Sequence, residues 1–141
     1  LAQQLRHDIV NTYQLSVAPQ SPPEITQAPA LFQQFCASCH GVEGYGDGDD
    51  GVNLLPRPSD FHDLAHMNQI NVYTLYSTIT LGINGTGMNA YPQLSDEQRW
   101  ALAFYVSTLR ESKAHLDRGH TLWEQRNFRG PAPDLTSLTN L

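Results

Sequence analysis

Cys36 and Cys39 stand with two residues between them and a histidine directly after, as Cys36-Ala37-Ser38-Cys39-His40, and the chain has no other cysteine. Two thiols and an imidazole this close suit a redox pair, a metal site or the anchoring of a haem. A thioredoxin-like pair needs a strand–turn–helix setting, and no β-branched run precedes Cys36. A zinc site needs two further ligands at paired spacing, such as His62 and His66. Covalent attachment of one c-type haem uses both thiols and the histidine at once, and the motif supports it best.

Thioether bonds from two cysteines one helical turn apart would hold one edge of the macrocycle, with His40 projecting at the iron from the proximal face. The sixth position then decides the chemistry: Met or His closes the iron for electron transfer, whereas an open position admits ligands or peroxide. Met88 is the candidate sixth ligand. It ends the run Gly82-Ile83-Asn84-Gly85-Thr86-Gly87-Met88, flexible enough to lie closely against a porphyrin face. Met67 is the only other methionine, and His62 and His66 are the histidine rivals.

The elements that must position these groups are helical. Leu1, Leu5, Ile9 and Tyr13 repeat every fourth residue, which predicts an amphipathic helix within 1–18. Prolines at 19, 22, 23 and 29 make the next stretch an extended linker, and Pro29 suits the first turn of a second helix running through Phe32 and Phe35 into the cysteines. Five glycines between 41 and 51 predict a loop that continues to Pro58. Val72, Leu75, Tyr76 and Ile79 predict another helix, closed by Gly82, and a second glycine-rich loop occupies 82–94. Ser95 with Gln98 forms a capping box for a helix with an apolar face of Leu102, Tyr105, Val106 and Leu109 and with Trp100 and Phe104 nearby. A short helix is expected around Leu116–Gln125, broken by the prolines at 131 and 133. No stretch reads as a strand, so the fold class is all-α. Residues 28–110 are the expected haem domain, 1–27 a helical segment with a Pro-rich linker, and 111–141 a C-terminal flank.

The formal charge is −6, which disfavours nucleic acid, and no apolar run is long enough to insert in a membrane. The first residue is Leu rather than Met, which reads as a processed or excised piece with any signal peptide outside it. Residues 28–110 hold eight acidic side chains against three arginines and no lysine. That balance favours a basic redox partner, or a tethered one needing no steering.

With its leading helix, CxxCH, glycine-rich middle and methionine before a final helix ending Tyr105-Val106-Ser107-Thr108-Leu109, the stretch 28–110 resembles a class I cytochrome c domain. The resemblance implies that Phe32 packs on Leu102 and Tyr105 where the first and last helices cross. It also implies that a proline carbonyl in the middle loop receives the second ring nitrogen of His40, with Pro56 the candidate and Pro58 the fallback. Arg57 is expected to pair with a haem propionate.

More narrowly, Cys36-Ala37-Ser38-Cys39-His40-Gly41, Gly46-Asp47-Gly48, Leu55-Pro56-Arg57-Pro58-Ser59-Asp60-Phe61 and Gly85-Thr86-Gly87-Met88 are similar to the periplasmic cytochrome c domains fused to bacterial FTR-type iron permeases. This likeness implies a periplasmic electron-transfer protein rather than an enzyme, taking electrons from ferrous iron beside a membrane permease. Asp47, Asp49 and Asp50 offer hard oxygen ligands for such iron, although aspartates among glycines also make an ordinary solvated turn. The alternatives are a generic periplasmic monohaem carrier or a haem domain of another respiratory complex, and beyond those a haem enzyme or gas sensor with an open sixth site.

Overall fold

The computed structural model describes residues 2–13 and 17–125. Among the described residues seven α-helices follow one another: α1 (Ala2–Tyr13), α2 (Ala28–Phe35), α3 (Ala37–His40), α4 (Leu64–Met67), α5 (Val72–Leu81), α6 (Asp96–Thr108) and α7 (Lys113–Gln125). A single 3₁₀ turn, Ile25–Gln27, leads into α2. No strand occurs among the described residues, and the fold is all-α.

Local chemistry sets most boundaries. Pro29 occupies the first turn of α2, where a missing N–H costs nothing. Asn71 caps α5 by accepting from the Thr74 N–H at 2.8 Å. Gly82 closes that helix at φ +70, a backbone setting a side chain would resist. Ser95 and Gln98 exchange both capping-box bonds at the start of α6, at 2.9 and 3.2 Å, while Asp96 and Glu97 face the positive end of its dipole.

Two sequence expectations move. The second helix stops just short of the cysteines instead of running into them: it ends at Phe35, because Cys36 takes φ −119, far from the helical value, and a separate short helix begins at Ala37. The last helix begins at Lys113 rather than near Leu116, since Ser112 accepts the His115 N–H and Lys113 pairs with Asp117 one turn on. The Gly-Pro-Ala-Pro break lies outside the described residues, as does Leu1 of the N-terminal stripe. The other members of that stripe, Leu5, Ile9 and Tyr13, are exposed on α1.

The core is made by α2 and α5, both packed on α6. Phe32 meets Tyr105 edge to face at 5.6 Å, and Phe32 and Leu102 are fully buried. Trp100, expected only near the apolar face, is also fully buried, stacked on Tyr76 of α5 at 4.0 Å. The Tyr76 hydroxyl in turn donates to the Asp96 carboxylate. Thus α6 is covered on two sides, which a single amphipathic stripe does not describe. Arg110, just beyond α6, donates to the Met67 carbonyl at 2.9 Å and ties the end of α4 to the bundle.

Candidate functional site

The Cys36 backbone carbonyl accepts from the N–H groups of Cys39 and His40, at 3.2 and 2.9 Å, which winds the short turn α3. The following loop wraps this turn. Gly46 donates to the His40 carbonyl at 2.7 Å, Gly48 to Cys39 at 3.2 Å, and Asp50 to Ser38 at 2.9 Å. A Cβ on Gly48 would stand 2.3 Å from the Ser38 oxygen, so backbone lies directly on backbone there and only glycine fits. The wrap satisfies the carbonyls left open at a helix end and holds both thiols and the imidazole on one wall.

That wall opens on a cavity of about 510 Å³ lined by Cys36, Cys39 and His40 together with Met88, Leu54, Pro56, Arg57, Leu75 and Ile79, among others. The volume lies within the roughly 300–1,000 Å³ usual for small-molecule and cofactor sites. The lining is largely apolar, contains no carboxylate side chain, and has Arg57 as its one Arg or Lys. Such a surface suits a flat apolar body that carries acid groups at one edge.

The two cysteines form no disulfide. Burial, helped by the neighbouring Cys39, pushes the Cys36 thiol up to about 12, so it is held as the protonated thiol. Burial also lowers the His40 pKa, against an opposing effect of its backbone bond, and favours the neutral imidazole an iron requires. The His40 Nδ1 meets the Ser59 carbonyl at 3.1 Å, which assigns its proton there and leaves Nε2 for a metal. Free thiols, a neutral oriented imidazole and an apolar wall fit a covalently held haem.

The acceptor for His40 corrects the expectation of a proline carbonyl. Pro56 lines the cavity but does not bond His40, and the Pro58 oxygen is turned toward Gly46, where a Cβ would approach it to 2.6 Å. The Phe61 N–H donates to the Gly44 carbonyl at 2.9 Å, and this anchor sets Ser59 over the imidazole. Sequence reasoning missed Ser59 because every residue has a carbonyl and nothing in a side chain marks which one will face inward. It also missed Phe61, whose ring stacks on His40 with centroids 4.6 Å apart and planes 19° apart.

Met88 lines the cavity with His40, and its loop is held by short bonds. Ile83 donates to the Met88 carbonyl at 2.9 Å, and Met88 donates to the Thr86 hydroxyl at 3.1 Å. Tyr91 anchors the far end, its N–H on Ile79 at 3.0 Å and its hydroxyl on the Phe35 carbonyl at 2.9 Å. The rivals are placed otherwise. Met67 is fully buried in the core and does not line the cavity. His62 contacts the Glu43 carbonyl at 2.8 Å and stacks on Tyr45 at 4.1 Å. His66 does line the cavity, but its Nε2 faces the Ser59 hydroxyl at 3.4 Å, on the side of His40.

Among the described residues, no three His, Cys, Asp or Glu side chains come together as a metal-ion set. Asp47, Asp49 and Asp50 therefore do not converge on an iron position, and the zinc reading of the cysteine motif finds no ligand set. Asp47 instead sits over Gly41, where a Cβ would clash with its Oδ1. No helix among the described residues is long and apolar enough to cross a membrane.

Comparison with known proteins gives residues 25–110 as a match to the family Cytochrome c. The chain is also similar in structure to a chain of the reducing HAO-like protein complex of Kuenenia stuttgartiensis, with a TM-score of 0.52 and 24% identity. That likeness concerns the fold alone; it covers 65% of this chain and 44% of the other. Among curated proteins none matches.

Proposed function

The chain belongs to the cytochrome c family and carries its covalently bound haem c, and we propose that it moves single electrons with Cys36 and Cys39 as the attachment points and His40 and Met88 as the axial ligands. One observation carries this reading: all four side chains line one apolar cavity. The bound haem supplies a one-electron ferric/ferrous couple. The chain's own residues do the rest. Ser59 holds His40 in one tautomer, Met88 would hold the haem iron from across the cavity, and the apolar lining would exclude water that otherwise stabilises the charged ferric form. Arg57 is the residue that would face a propionate. The same proposal puts the protein outside the cytoplasm, in the periplasm of a bacterial cell, and what supports it is the covalent attachment, since such haems are joined after export.

As the finer setting, we propose the periplasmic haem domain of an iron-uptake permease, accepting electrons from ferrous iron. What supports it is the series of loop motifs from Cys36 to Met88, and nothing in the metal-ligand geometry adds to that. The second reading, a general periplasmic carrier serving a redox partner protein, is favoured by the lack of convergence of Asp47, Asp49 and Asp50. Anaerobic mixing of ferrous iron with the oxidised holoprotein separates them. Fast reduction that saturates with iron supports the permease setting. Slow, unsaturable reduction with ready exchange with redox mediators contradicts it and leaves the general carrier.

A further inference from the structure

We propose that the Phe61 ring fixes the rotation of the His40 imidazole about its bond to the iron, which makes Phe61 a positioning residue for electron transfer. The proposal rests on the reading of His40 as proximal ligand. The Ser59 carbonyl restrains one ring nitrogen, but a carbonyl accepts over a broad cone of directions and leaves the imidazole plane room to turn. A flat ring lying 4.6 Å away and 19° from parallel removes that room, since turning the imidazole drives its edge into the phenyl face.

Phe61 is itself held by Phe32 and by Gly44. Its ring is 8% exposed and meets the edge of the fully buried Phe32 at 6.2 Å. Phe32 is braced in turn by Tyr105 of α6 at 5.6 Å. The Phe61 backbone is bonded to Gly44 at 2.9 Å, and a Cβ on Gly44 would stand only 3.2 Å from Phe61 Cδ2, so the ring lies close beside the Gly44 main chain. The file Tyr105–Phe32–Phe61–His40 therefore connects the helix crossing to the axial ligand. The plane of an axial imidazole selects which iron d orbital shares its unpaired electron with the macrocycle. In this way it sets which haem edge carries the most unpaired density and the best electronic coupling outward.

The test is proton NMR of the four haem-methyl resonances in oxidised holoprotein, whose order and spread report that distribution. Phe61→Leu keeps apolar volume but removes the flat face, and Phe61→Met does the same should the leucine variant mature poorly. Both are expected to retain covalent haem and the parent's visible spectrum while reordering or compressing the methyl resonances. Phe61→Tyr, which keeps the ring, is expected to retain the parent order. Methyl resonances unchanged in Phe61→Leu or Phe61→Met would overturn the proposal. The ligand reading is checked apart from it with His40→Ala, in which the parent pattern must collapse. A collapsed His40→Ala pattern beside an unmoved Phe61→Leu pattern overturns only the role of Phe61. A parent pattern surviving in His40→Ala removes the ligand reading and the proposal together.

Discussion

Replacing Gly46 by alanine strikes the loop that orients the proximal histidine, and its cost follows from two features of the structure. Gly46 has φ +72, where a Cβ costs roughly 1–2 kcal/mol. The added Cβ would also stand 2.6 Å from the Pro58 carbonyl oxygen and 3.3 Å from the Asp60 nitrogen and the Ser59 carbonyl carbon. These are backbone atoms, so the segment 58–60 must retreat by several tenths of an ångström, on the order of what relieves such a contact. Ser59 moves with it and loses part of its 3.1 Å bond to His40, a bond worth about 0.5–1.5 kcal/mol. The variant should therefore be less stable by roughly 1.5–3.5 kcal/mol. Gly85→Ala is the matched control, because Gly85 has φ +79 with nothing within 4 Å of its Cβ position. It should lose only the conformational part, roughly 1–2 kcal/mol. Guanidinium unfolding of the three holoproteins, followed by far-ultraviolet circular dichroism, measures both losses. Equal destabilisation by the two alanines, to within about 0.3 kcal/mol, would refute the claim that the 58–60 backbone is pressed against Gly46.

Three further outcomes follow from the same geometry. Ser95→Ala removes the side-chain half of the capping box on α6, the bond from the Gln98 N–H to the Ser95 hydroxyl, and should cost about 1 kcal/mol in the same unfolding experiment; a loss near zero would mean that this bond is cosmetic. The Tyr105 phenol is held above its ordinary value of 10, first by burial and then by the nearby Glu43 carboxylate. The unfolded chain therefore releases this proton first, so stability falls as pH rises through 10 and levels off above the folded value. Tyr105→Phe should flatten that decline in denaturant melts, and Glu43→Gln should move the Tyr105 titration down in difference absorbance. The double variant Cys36→Ala with Cys39→Ala should yield no haem that survives denaturing electrophoresis; pigment persisting on the gel would contradict attachment through these thiols.

The features most readable from sequence were those where a side chain advertises its own geometry. The Ser95–Gln98 capping box, the closing Gly82 and the proline opening α2 each couple one residue type to one backbone setting. The cysteine–histidine motif is equally explicit, because three reactive groups at fixed spacing have few common uses. The parts that stayed hidden depend on backbone or on tertiary crowding. The carbonyl facing His40 belongs to Ser59 rather than Pro56 because the Phe61–Gly44 bond sets the loop's depth, and a carbonyl has no sequence signature. The break at Cys36 is a backbone turn without a proline or glycine to mark it. Trp100 is a central core residue because α6 is covered from two sides, which a one-face periodicity cannot register. The aspartates of the glycine loop follow the plainer of their two sequence readings: their types suit a metal, yet among the described residues they join no metal-ligand set.

The central claim is a haem closed by His40 and Met88, and the far-red Met-to-iron charge-transfer band of the oxidised holoprotein tests it most directly. The unaltered protein should show this band, and Met88→Ala should abolish it and lower the reduction potential while Met67→Ala leaves it intact. A band that survives Met88→Ala, or that is absent from the unaltered protein, would contradict the account.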